Sequence, residues 1–183
     1  MKKLLILVDV IKGFIEEGNL HDKGIRSIIP HCLNHIENYI SKTWDIIAFC
    51  DAHQEDSKEF LAYPLHCLSG SSESDLVDEI ALYQDKLKVI PKNSTNGFFA
   101  PGFQAVLANL SDYNEVLIVG CCSDICVLQF AVSLKAYINE NNYDTKIVVD
   151  SKACDTFSIE GHKREDYNSL AFNLMLSAGI EVL

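Results

Sequence analysis

Short apolar runs alternate with longer stretches of helical spacing along the whole chain. The runs at residues 4–8, 46–50, 87–90, 116–119, 147–149 and 180–183 are rich in β-branched side chains and lack polar alternation. That is the pattern of strands buried on both faces. Between them, apolar residues recur at helical spacing over residues 30–42, 73–84, 101–110, 123–141 and 162–178. Pro30 and Pro101 suit first-turn positions, and Gly179 suits a helix stop. Six strands linked by helices predict an α/β fold, three αβα layers around a six-stranded parallel sheet with right-handed crossovers. No repeat, low-complexity tract or linker interrupts this order, so residues 1–183 read as one domain.

Such sheets bind ligands beyond the carboxyl ends of their strands. The residues that follow each run therefore carry the argument, and four runs end in chemistry: Asp9, Asp51 with His53, Lys92, and an elbow at 121–127. At the elbow the run 116–120 passes directly into Cys121-Cys122-Ser123-Asp124-Ile125-Cys126-Val127 and a helical pattern. Ser123 or Asp124 is expected to cap that helix, placing Cys126 in its first turn. Unpaired N–H groups and the helix dipole there favour a thiolate. Free cysteine is otherwise a small buried hydrophobe, and Cys32, Cys50, Cys67 and Cys154 are read that way. A desolvated Asp9 suits proton transfer with a thiol, and a cation at Lys92 would favour the thiolate. Acid, cation and thiol at strand ends compose a base, an electrostatic partner and a nucleophile.

A second cluster lies nearby in sequence. Asp51 and His53 stand two residues apart after the second run, where an extended segment points both to one side. Glu59 and His66 follow. Carboxylates and imidazoles suit Zn²⁺, Mn²⁺ or Fe²⁺. Taken singly, His66 also reads as a hydrogen-bonded loop histidine and Glu59 as a solvated side chain. His21, His31, His35 and His162 lack such company and read as structural.

Composition narrows the classes of partner. The net charge of −11 argues against nucleic acid or an anionic membrane surface, leaving small molecules or proteins. Seven cysteines are an odd number and include an adjacent pair, which argues against a disulfide framework and for a reducing cytoplasm. The apolar run after Lys2-Lys3 stops at Asp9, too soon for a signal peptide, and no run reaches the roughly 20 residues of a membrane span.

Together these motifs resemble the isochorismatase-like cysteine hydrolases and, within them, the nicotinamidases. Asp9-Val10-Ile11-Lys12-Gly13-Phe14 is similar to an opening Asp-Val-Gln-Asn-Asp-Phe pattern, Asp51-Ala52-His53 to Asp-Trp-His, and Tyr63-Pro64-Leu65-His66-Cys67 to Trp-Pro-x-His-Cys. Lys92 and the 120–127 elbow complete a match that spans residues 3–150. The resemblance implies a Rossmann-like hydrolase fold with a catalytic triad of Asp9, Lys92 and Cys126. It also implies a cis peptide between Cys121 and Cys122, and an oxyanion hole from the N–H groups of Cys122 and Cys126. It implies a divalent metal on Asp51, His53 and His66, with Glu59 at a position where some members supply a fourth ligand, the metal holding a pyridine nitrogen. Phe14, Phe99 and Cys121 are the expected substrate contacts, the two rings sandwiching a flat substrate. The implied activity is deamidation of nicotinamide or pyrazinamide through a thioester, as in NAD salvage, by a cytoplasmic homo-oligomer. Other readings are hydrolysis of a different amide, a carbamoyl compound or isochorismate, or a non-catalytic binding module.

Overall fold

The computed structural model describes residues 2–183. Strands β1 (Lys3–Val8), β2 (Asp45–Asp51), β3 (Lys88–Lys92), β4 (Glu115–Gly120), β5 (Lys146–Cys154) and β6 (Glu181–Val182) form one sheet in the order β3-β2-β1-β4-β5-β6, and every neighbouring pair is parallel. The six predicted runs are these strands. The central four are buried on both faces, which is why they read as unbroken apolar runs rather than alternating ones.

Alternate residues feed opposite layers. Leu4, Ile6 and Val8 pack with Phe103 of helix α4 (Pro101–Leu107), Phe130 and Leu134 of α5 (Leu128–Glu140), and Met175 of α6 (Arg164–Ser177). Leu5 and Leu7 face α2 (Ile29–Ser41), whose Ile29, Cys32, Ile36 and Tyr39 form its buried stripe. Two short helices, α1 (Lys12–Ile15) and α3 (Asp78–Ala81), close that side. The result is the predicted three-layer αβα arrangement. No helix among the described residues is long and apolar enough to cross a membrane.

Three boundaries differ from the sequence reading. The helix expected over 73–84 breaks into two 3₁₀ turns and the four-residue α3, because Leu76 and Val77 are drawn into the core by backbone bonds to the segment after β1. Strand β5 continues five residues past its apolar run, following a register irregularity between Ile118 and Gly120 of β4. The elbow helix begins with a π-helical turn, Ser123–Val127, before α5.

Chain order reverses between β1 and β4, the position at which open parallel sheets bind ligands. Gly120 closes β4 against β1 with φ +123°, and a Cβ there would lie 2.0 Å from the Val8 carbonyl oxygen. Only glycine permits that approach.

Candidate active site

Four neighbouring strands, from the edge strand β3 to β4, bring side chains to one end of the sheet in spatial order: Lys92 from β3, Asp51 from β2, Asp9 after β1 and Cys126 after β4. All four are at least 95% buried. Asp9 leaves the strand in a left-handed conformation, φ +52°, which asparagine and aspartate tolerate better than most residues. That conformation aims its carboxylate along the edge. Oδ1 accepts the Asp51 N–H at 3.1 Å and Oδ2 lies 2.8 Å from Lys92 Nζ. Lys92 Nζ also donates to Asp51 Oδ1 at 2.5 Å and to the Ser94 carbonyl at 3.1 Å. One atom each from Asp9, Asp51 and Cys126 lie within 4.8 Å of one another.

Two carboxylates share one ammonium, and their environments separate them. Burial works against the charge on Lys92, but Asp51 and Asp9 overcompensate and hold it well above the usual lysine range. Burial also opposes ionisation of Asp51, yet Lys92 and His53 keep that carboxyl below its ordinary value. Asp9 goes the other way, raised to about 7 by burial that Lys92 only partly offsets. One carboxylate is thus fixed in charge and its neighbour titrates near neutrality.

The thiol departs from the sequence reading. Burial pushes Cys126 well above its usual range, and Lys92 does not offset it beside Asp9 and Asp51. The resting group is a thiol next to a carboxylate able to take its proton, not a preformed thiolate. Nor do Ser123 or Asp124 cap the turn, which starts from Cys122 without a side-chain cap. Ser123 Oγ instead donates to Asn168 of α6, and Asp124 is engaged by His162 at 2.8 Å. The Cys121–Cys122 peptide is cis. Among the described residues no acceptor takes the Cys122 N–H.

Beside these groups, Asp51, His53 and His66 each offer one ligand atom within 4.8 Å of the others, and all three are buried. His66 Nδ1 sits 2.7 Å from the Pro64 carbonyl and His53 Nδ1 3.3 Å from Asn93 Oδ1. Each Nδ1–H is thereby spent on an oxygen, leaving both Nε2 lone pairs toward Asp51 Oδ2, at 3.9 and 3.5 Å. His53 Nε2 is buried without a hydrogen-bond partner. An orphaned buried nitrogen in an Asp-His-His set fits a borderline divalent cation. Glu59, the expected fourth ligand, does not join this group; its Oε1 accepts the Thr95 N–H at 3.0 Å.

A cavity of about 430 Å³ opens onto these groups, lined among others by Cys126, Asp51, His66, Phe14, Tyr63 and Phe157. Two expected substrate contacts are absent from its walls. Phe99 is 67% exposed, its ring set edge-on to Phe98, because Asn96 caps the turn 97–99 and directs that ring outward. Cys121 is fully buried, its Sγ donating to the Asp9 carbonyl at 3.0 Å. Phe157, in the loop after β5, supplies a ring that sequence reasoning missed, and His21, read as structural, stands among the lining residues.

The isochorismatase domain profile matches residues 3–178. Nicotinamidase 1 of Arabidopsis thaliana is 28% identical over 179 residues, covering 88% of this chain and 72% of that protein. Among solved structures, a pyrazinamidase/nicotinamidase of Streptococcus mutans superposes with a TM-score of 0.83 at 22% identity, covering 100% of both chains. A pyrazinamidase of Pyrococcus horikoshii in complex with zinc superposes with a TM-score of 0.79 at 21% identity, covering 100% of this chain and 99% of its own.

Proposed function

This chain belongs to the isochorismatase family and is a hydrolase of amide C–N bonds, and we propose from that premise that it deamidates a flat aromatic amide, nicotinamide or pyrazinamide, through a Cys126 thioester. The observation that carries the reading is the Cys126–Asp9–Lys92 edge opening into an aromatic-walled cavity. Asp9 takes the thiol proton as sulfur attacks the carbonyl carbon. The N–H groups of Cys122 and Cys126 receive the oxyanion, each such donor contributing about 3 kcal/mol to lowering the barrier. Asp9 returns the proton to the departing nitrogen, which leaves as ammonia. Water then attacks the thioester, again passing a proton to Asp9, and collapse releases the acid and restores the thiol. Lys92 holds positive charge beside both carboxylates throughout. Phe14 and Phe157 provide apolar faces for the ring, in place of the Phe14–Phe99 pair read from sequence.

Asp51, His53 and His66 would hold a divalent ion, which supplies a Lewis-acidic anchor for a ring nitrogen. Elemental analysis of protein purified without chelator is expected to find a stoichiometric divalent ion, and His66→Ala to lose it. Parent protein as empty as the variant, with turnover indifferent to chelation, would return both histidines to a structural role.

The Asp9 carboxyl, raised to about 7, sets the acid limb of the pH profile. Only its ionised form accepts the thiol proton, so activity falls as pH drops. We expect kcat/KM to fall about tenfold per unit below that value and to level off above it, the thiol remaining protonated there. A flat profile between pH 5.5 and 8, measured as ammonia release, would take Asp9 out of the base role.

A further inference from the structure

Phe157, a wall of the cavity, belongs to a stack of three rings. Its face lies on His162 with centroids 4.0 Å apart and planes 8° from parallel, and the other face of His162 lies on Tyr167 of α6 at 3.6 Å and 27°. The imidazole is also held by its edges. Its two nitrogens face oxygens on either side, the Phe157 carbonyl at 3.1 Å and the Asp124 carboxylate at 2.8 Å. Asp124 stands two residues before Cys126, in the same π-helical turn. The segment before Phe157 is pinned independently: Arg164 Nε donates to the Thr156 carbonyl at 2.8 Å, and its Nη2 donates to Asp22 Oδ2 at 2.7 Å. His162 itself does not reach the cavity.

We propose that His162 is a positioning residue for substrate: clasped between Phe157 and Tyr167 and bonded to Asp124, it holds the Phe157 ring in the cavity wall at a fixed offset from the turn that carries Cys126. The proposal rests on the reading that the cavity takes a flat aromatic amide. A loop ring tied only by its backbone samples several rotamers, and each that leaves the wall lowers ring affinity. Stacking on both faces of the imidazole selects one rotamer. The same imidazole links wall and nucleophile, so that ring and carbonyl are placed by one connected group of residues.

The test is a double-mutant cycle between His162→Ala and Phe157→Ala, read as KM and kcat for nicotinamide and as calorimetric affinity for nicotinamide in a Cys126→Ala background. Each single variant is expected to raise KM and weaken binding about tenfold with kcat within about threefold, and the double variant to be no worse than Phe157→Ala alone. Effects that multiply in the double variant, or a loss of kcat at unchanged KM, would overturn the proposal. If His162→Ala does not fold, Tyr167→Ala removes the outer ring from the half-exposed side; it is expected to raise KM about threefold, and an unchanged KM overturns the proposal equally. Binding of nicotinamide to the Cys126→Ala protein without turnover by the parent would sink the proposed function and leave the cycle to decide the role of His162. Absence of binding would sink both.

Discussion

Replacement of Cys126 by alanine is expected to abolish amide turnover, by about 10⁴-fold or more in kcat, while leaving the fold and the metal content of the parent. The Sγ atom is the proposed nucleophile of the buried edge, with a ligand atom of each of Asp9 and Asp51 within 4.8 Å of it. Without it no thioester forms, and what survives is whatever the oxyanion donors and binding provide over water. The substitution deletes one small buried group, a loss of about 1 kcal/mol in a turn otherwise held by backbone bonds from Ile125 and Val127 to Cys122. Asp51, His53 and His66 do not depend on it for any contact. Ammonia release, melting temperature and elemental analysis on one preparation check all three statements. Turnover within tenfold of the parent would remove Cys126 from the chemistry.

Lys92→Met is expected to cost stability as well as activity. The ammonium is 2% exposed and bridges Asp9 and Asp51, so its removal leaves two buried carboxylates facing each other without a cation. Breaking a buried pair from one side costs about 3–5 kcal/mol, which in a chain of this size is a fall of roughly 10 °C in melting temperature. The sign of the pH dependence follows. In the variant both carboxyls are raised in the folded state above their unfolded values. Folding is then favoured where they are protonated, and that stability is lost as pH rises. The deficit relative to the parent should therefore be largest at neutral to alkaline pH and shrink toward pH 5. Thermal melts across that range check it, and a variant melting within about 2 °C of the parent at pH 7.5 would show that Lys92 does not neutralise the edge.

The strands were legible because burial on both faces leaves no polar residue to confuse the pattern, and the strand ends were legible because a charged side chain directly after such a run has few structural excuses. Asp9, Asp51 and Lys92 fall in that class, and Cys126 was legible from the strand-to-helix elbow that carries it. What the sequence hid depends on three-dimensional partners. Cys126 looked like a thiolate because dipole and Lys92 were visible, while the burial that outweighs them was not. Phe99 looked like a ring-binding residue because an aromatic face suits a flat substrate, but the turn that Asn96 caps leaves it 67% exposed. Phe157 escaped because β5 runs five residues beyond its apolar stretch, which moved the true strand end away from where chemistry was sought. His162 escaped because its partners, Asp124 and Phe157, lie 38 and five residues away.

The position of β1 in the middle of the sheet has a consequence for how the chain is made. Leu4 pairs with Asp45 on one side and with Val116 on the other, so β1 is made before both of its partners and waits for more than a hundred further residues before its second edge is covered. Until then Leu4-Leu5-Ile6-Leu7-Val8 presents an open apolar ribbon, and the nascent chain is exposed to misassociation through that edge until β4 emerges.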